Sequence, residues 1–192
     1  TPRAVAKNIE YVVFVPPRYA REVSALPGMR AVPVRASYYS LYEQTGFLAQ
    51  LLLAKTDVVH FLSFNAPVYY RRPFVVTIHD LTRFKFPGAK HHDRFHEWAH
   101  GKVFRSAVER ARRIITVSEF TKGELCRVFP AAVGKTAVIY EGVEEQFFSA
   151  GSSQRADGSD ADVLTLLGIT KPYLLYVGLW LTHKNLPGLL KT

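Results

Sequence analysis

Cysteine is nearly absent from this 192-residue sequence: Cys126 stands alone, beside one methionine and two tryptophans. One cysteine excludes an internal disulfide framework and any multi-cysteine zinc site, and it fits a reducing cytoplasm. Cys126 is expected to pack as a small hydrophobe. Long apolar runs are missing as well. The longest, such as Phe47 to Ala54 and Tyr173 to Val177, fall far short of the roughly 20 residues that span a bilayer, and no basic-then-apolar leader precedes them. No transmembrane helix is expected. No repeat recurs at a fixed period, and no nucleic-acid-binding module has its signature here, so nucleic acid is not an expected partner. Acidic residues are the scarcer charge, 16 Asp+Glu against 25 Lys+Arg, which leaves a net charge of +9. What remains is a 48% hydrophobic chain with the composition of a globular protein. At about 100–200 residues per domain, its length holds one domain, or one domain and part of a second.

The positive charge is concentrated. Between Arg83 and Arg113 nine Lys and Arg residues face three acids, Asp93, Glu97 and Glu109. Such a segment is either a solvated helix face or a surface for an anionic membrane or a phosphate-bearing substrate.

Short, β-branched, nearly continuous apolar runs recur at Ile9 to Val15, Val58 to Leu62, Phe74 to Ile78, Arg113 to Val117, Ala137 to Tyr140 and Tyr173 to Val177. Runs apolar on both faces predict strands covered on both sides, as in a parallel sheet flanked by helices. Ala31 to Val34 carries Pro33 and reads as an edge strand, because proline cannot donate to a ladder. Helical spacing is found over Leu41 to Leu53 and from about Asp93 to Arg112, where Phe95, Ala99, Val103, Ala107 and Ala111 fall on one stripe. A third helix starts at Ser118, a capping residue followed by Glu119, and stops at Pro130. Strands alternating with helices predict an α/β, Rossmann-like, doubly wound parallel sheet.

After Phe148 the composition shifts. Residues 149–162 (SAGSSQRADGSDAD) contain no large apolar side chain, the composition of a flexible linker. The expected organisation is a domain over residues 1–148, a linker over 149–162, and an incomplete second domain over 163–192, since a strand–turn–helix unit of this size cannot bury both faces of a sheet alone. In that last stretch a short helix ends near Gly168, a strand starts at Tyr173, Gly178 makes a turn, and Lys184-Asn185-Leu186 opens another helix.

Two constellations carry candidate chemistry. His96-Glu97-Trp98-Ala99-His100 is a literal H-E-x-x-H on a predicted helix, with His92 extending the series and Glu119 downstream as a third ligand. On paper this is a zinc-peptidase arrangement with Glu97 as general base. Gly101 directly after it weakens the helix meant to hold the ligands, and Glu119 has a structural use in the first turn of the helix capped by Ser118. The second constellation begins with Val75-Val76-Thr77-Ile78-His79-Asp80-Leu81, a strand ending in a polar pair. Open α/β sheets bind ligands beyond the carboxyl ends of their strands. His79 there can donate to a sugar hydroxyl or a phosphate oxygen, while Asp80 can fix its tautomer or cap the next turn.

The order of Thr77-Ile78-His79-Asp80-Leu81, Phe84 to Pro87, Ile114-Ile115-Thr116-Val117-Ser118-Glu119-Phe120-Thr121-Lys122, Val138-Ile139-Tyr140-Glu141-Gly142-Val143, and Tyr173 to Gly178 followed by His183-Lys184-Asn185-Leu186 resembles retaining glycosyltransferases of the large family four, the group 1 enzymes with the GT-B fold. Phe14-Val15-Pro16-Pro17 and Tyr39-Ser40-Leu41-Tyr42-Glu43-Gln44 also resemble that group, in particular its bacterial mannosyltransferase-like members. The resemblance covers nearly the whole chain. It implies two Rossmann-like domains across a cleft, the N-terminal one taking the glycan or lipid-linked acceptor and the C-terminal one the nucleotide-sugar, with no metal and no other cofactor. It implies that His79 contacts the donor sugar near the reacting carbon and that Lys184 pairs with the donor pyrophosphate, with Asp80, Gly178 and Asn185 supporting the cleft.

The physical chemistry agrees with those roles. Loss of a nucleoside diphosphate builds negative charge on the leaving oxygens, which a fixed cation at a helix N-terminus stabilises without a metal ion. Three departures stand out. Leu179 occupies the position after the glycine where many relatives carry an arginine; the relatives' first strand and glycine-rich loop have no counterpart before Thr1; and their paired E-x7-E glutamates would fall beyond Thr192. The expectations are a hexosyltransferase, mannosyl-type, of polysaccharide biosynthesis, cytoplasmic or peripheral at the inner face of the membrane, whose 192-residue stretch is inactive alone. The rivals are a zinc metallopeptidase built on His96, Glu97 and His100, and a non-catalytic anion-binding domain.

Overall fold

A computed structural model describes residues 9–36, 40–85, 94–143, 164–170 and 172–191. The chain divides into two compact units, Thr1–Tyr140 and Glu141–Thr192. The expected linker at 149–162 lies outside the described residues.

The first unit is an α/β structure of parallel strands. Strand β1 (Tyr11–Val15) is followed by the short helix α1 (Ala20–Ser24) and pairs in parallel with β2 (Met29–Pro33), Val15 opposite Pro33. The proline ends its strand at a sheet edge, as its missing N–H requires. Strands β3 (Val59–Phe61), β4 (Phe74–Ile78), β5 (Arg113–Thr116) and β6 (Thr136–Val138) form a second parallel sheet in sequence order. Helices α4 (Thr82–Lys85) and α5 (Arg94–Arg110) connect β4 to β5, and α6 (Glu119–Val128) connects β5 to β6. The described strands thus form two sheets of two and four strands rather than one continuous ladder.

Coverage on both faces holds for β4, in which Phe74, Val76, Thr77 and Ile78 are all buried, and not for β1 and β2, whose residues are partly or fully exposed. The core gathers Val59, Phe61, Phe74, Val76 and Ile78 of the sheet against Phe104, Ala107 and Val108 of α5 and Leu125 of α6. The expected stripe is buried at Val103 and Ala107 of α5 and at Ala111 just past its end. The single cysteine is partly buried and packs against this core.

The helix expected over Leu41 to Leu53 is two helices, α2 (Leu41–Gln44) and α3 (Gly46–Leu53). Thr45 breaks it: its backbone leaves helical angles (φ −122°, ψ −75°) and its hydroxyl donates to the Leu41 carbonyl at 2.7 Å. Gly46 then admits the Tyr42 ring, which would lie 2.4 Å from any Cβ at that position. Helix α3 links the two sheets. Its Phe47 ring meets Phe14 of β1 edge-on at 5.6 Å, its Gln50 amide donates to the Pro33 carbonyl at 3.2 Å, and its Leu51 is fully buried in the core.

In the second unit a helical turn closes at Gly168 (φ +65°), whose N–H donates to Thr165. Residues 173–177, expected as a strand, form no ladder, and Leu174, Leu175 and Val177 are exposed. A strand exists only against a partner, and the described residues of this unit offer none. Farther on, a 3-10 turn (Thr182–Lys184) leads into the one-turn helix α7 (Leu186–Leu189).

Candidate functional site

The carboxyl ends of β3, β4 and β5 bring three segments together. His79 follows the last residue of β4, and its Nε2 donates to the Leu62 carbonyl just past β3 at 2.9 Å. A carbonyl only accepts, so Nε2 carries a proton, and in its neutral form the ring is the Nε2–H tautomer. The tautomer is therefore set by Leu62. Asp80 takes the other expected role: its Oδ1 accepts from the Thr82 N–H at 2.8 Å and caps α4. From β5, Ser118 caps α6 by accepting from the Thr121 N–H at 3.1 Å, and the Thr121 hydroxyl donates to the His79 carbonyl at 3.2 Å. His79 is thus tied to β3 through its ring and to α6 through its backbone. Leu62 and Phe120, which belong to the segments that hold it, are 72% and 75% exposed.

The same loops carry an aromatic cluster that sequence reading missed. The His100 ring, 8% exposed, sits 5.0 Å from the Phe64 centroid and 5.3 Å from Phe84, and it stacks on Phe104 at 6.2 Å. Phe129, at the end of α6, completes the cluster against Phe84 and Phe104. Burial, reinforced by the Arg83 charge, lowers the His100 pKa to about 4. Its ring is neutral near pH 7. The signal available in the sequence was the density of phenylalanine at 64, 84, 104 and 129, which no single helical stripe collects.

That environment weighs against His100 as the second ligand of the H-E-x-x-H reading. His100 is packed among phenylalanine rings, and the nearby Arg83 charge opposes a second cation at its ring. Glu119 lies 3.6 Å from Lys122 in the first turn of α6, its structural use. The side chain of His96, and all of His92, lie outside the described residues. Gly101 does not end α5, which runs 17 residues through it.

The basic segment is not one solvated face. Arg110 sends both guanidinium ends to the backbone, to the carbonyls of Val68 and Tyr70, and so fastens the end of α5 to the loop between β3 and β4. Partial burial, reinforced by Arg71, lowers its pKa. Lys102 lies over the Trp98 ring at 4.8 Å; Arg105 is 3.8 Å from Glu109 and over the Phe129 ring at 5.5 Å. Lys90 and the side chains of Lys85 and Arg94 lie outside the described residues. A further histidine, His60 of β3, shares a 2.9 Å hydrogen bond with the buried Thr77 hydroxyl, and desolvation lowers its pKa.

The remaining expected site residues belong to the second unit. Gly178 has φ +154°, a backbone conformation that favours glycine, and a Cβ there would displace the tip of the Tyr176 side chain, whose hydroxyl would lie 2.9 Å away. Lys184 and Asn185 are exposed, Asn185 in the left-handed region (φ 51°) at the start of α7. A four-residue helix adds little dipole of its own, so charge at this position rests on the lysine itself.

A family model described as Glycosyltransferase Family 4 matches residues 2–147. No curated protein matches the chain.

Proposed function

The chain belongs to glycosyltransferase family 4, and from that premise we propose that it serves retaining transfer of a hexosyl unit, mannosyl in type, from a nucleotide-sugar to a glycan or lipid-linked acceptor. The family makes it a domain of a transferase, with a sugar donor and an acceptor as its partners. The observation that carries the finer reading is the position of His79: it stands at the carboxyl end of β4, inside the matched region, with its tautomer set by the Leu62 carbonyl.

In the proposed reaction the bond from the anomeric carbon to the diphosphate breaks as the acceptor oxygen bonds to that carbon on the same face. The acceptor's proton leaves toward the departing diphosphate. Negative charge grows on that diphosphate, and in this reading Lys184 is the cation that meets it, with Gly178 allowing close backbone approach and Asn185 contributing beside the lysine. No metal enters this scheme. His79 contacts the donor sugar, oriented by Leu62 and held by Thr121; Asp80 acts by fixing the start of α4 rather than on the ring. The corresponding domain organisation is an acceptor-side domain over 1–148, a linker over 149–162 and the start of a donor-binding domain from 163. The proposed setting is cytoplasmic, peripheral on an anionic membrane, in polysaccharide synthesis.

The test is turnover of nucleotide-sugar by the full-length enzyme carrying His79→Ala. A fall in kcat on the order of 10²-fold is expected; unchanged turnover removes His79 from the chemistry. Lys184→Ala should raise the donor KM and lower kcat together, and an effect confined to the acceptor KM would place the lysine elsewhere.

A further inference from the structure

We propose that His100 is a positioning residue for His79 and Asp80, acting through the rings of Phe64 and Phe84. The two segments that hold the candidate pair both rest on this one side chain. Phe64 lies two residues after Leu62, whose carbonyl accepts the His79 Nε2 proton, and its ring is 5.0 Å from that of His100. Phe84 belongs to α4, the helix that Asp80 caps, and its ring is 5.3 Å from His100 on another side. The fully buried Phe104, one turn along α5, backs the His100 ring and contacts Phe64 and Phe84 as well, at 5.1 and 4.7 Å. Phe84 is 38% exposed, but His100 and Phe104 are buried, and where the rings meet on that buried side a displacement of one passes to its neighbours. Loss of the His100 ring lets Phe64 and Phe84 move inward, and with them the Leu62 carbonyl and the N-terminal turn of α4. His79 then loses the acceptor that fixes its tautomer.

The inference rests on the proposed role of His79 only where turnover is concerned, and its primary test does not measure turnover. The ring 15N resonances of His79 are recorded at pH 8 in the unaltered chain, in His100→Ala, in His100→Phe and in Phe64→Ala. The unaltered chain and His100→Phe should show two well-separated His79 nitrogens, the pattern of a single tautomer. In His100→Ala and Phe64→Ala the two should converge toward a tautomer mixture. His60, bonded to Thr77 and outside the cluster, is the internal reference and should keep its resonances throughout. Separated His79 resonances in a folded His100→Ala chain overturn the proposal. So does equal loss of the His60 pattern, which marks general loosening rather than a directed link. If His100→Ala does not fold, Phe64→Ala decides by the same two readouts. In the full-length enzyme, His100→Ala should lower kcat about tenfold with donor KM within about twofold, and His100→Phe should restore it. Unchanged turnover in His79→Ala, with the spectral link intact, would reject the chemical role of His79 and leave the positioning relation standing.

Discussion

At the residue scale, His100 ties stability to pH. Its pKa is lowered to about 4 in the folded chain, against about 6.5 when unfolded. Below about 6.5 the unfolded chain takes up a proton that the folded one refuses, so stability falls as pH drops from about 6.5 toward 4, and no loss from this group arises above that window. The loss at the bottom is about 3 kcal/mol. Urea melts across pH 4–7 should show the decline, and His100→Phe should flatten it while retaining the packing; an unchanged slope would assign the acid sensitivity to other groups. Arg110 gives a second prediction. Its fork spans two carbonyls, Val68 and Tyr70, which a lysine cannot span, so Arg110→Lys should cost about 1–3 kcal/mol in denaturant unfolding although charge is kept. The local contacts here were legible in the sequence: Ser118 reads as a cap and His79 as a strand-end residue from their immediate neighbours. The non-local ones were not. His79 finds Leu62 and Arg110 finds Val68 and Tyr70 across long stretches of chain, and nothing in the spacing of either residue names its partner.

At the scale of elements, the apolar runs located five of the six described strands, and Pro33 marked the sixth as an edge. Strand existence follows from local pattern, whereas pairing depends on what folds nearby; this is why residues 173–177 carry a strand's composition without a ladder. The same distinction explains α2 and α3: apolar spacing runs through Leu41 to Leu53, and the Thr45 hydroxyl interrupts it. Glycine within α5 gives an element-level prediction. Gly101 has helical geometry and open space where a Cβ would project. Gly101→Ala should therefore raise stability by about 0.5–1 kcal/mol, visible as a higher denaturation midpoint with the slope unchanged. A fall instead would mean that the helix needs flexibility at the base of the His100 cluster.

For the molecule as a whole, the +9 charge is the property that reaches farthest. The proposed attachment to anionic membrane predicts binding to vesicles containing phosphatidylserine that weakens steeply as ionic strength rises past about 0.1 M, where screening acts within about 10 Å. Binding without salt dependence would remove charge as its basis. Family and fold class were legible because they depend on the order of many short segments. The role of the basic stretch was less so, because Arg110, Lys102 and Arg105 each engage a partner within the protein.

The all-parallel four-stranded sheet has a consequence for how the protein is made. A parallel strand cannot pair with the segment that follows it through a tight turn. Val75 of β4 meets Arg113 of β5 only after α4 and α5 have been added between them. On the ribosome, the apolar FVVTI segment of β4 therefore has only β3 to pair with until β5 is made, and its other edge stays unpaired. Synthesis creates an interval in which that segment is open to association with other nascent chains, and the length of the interval is set by the residues translated before Arg113–Thr116 arrives.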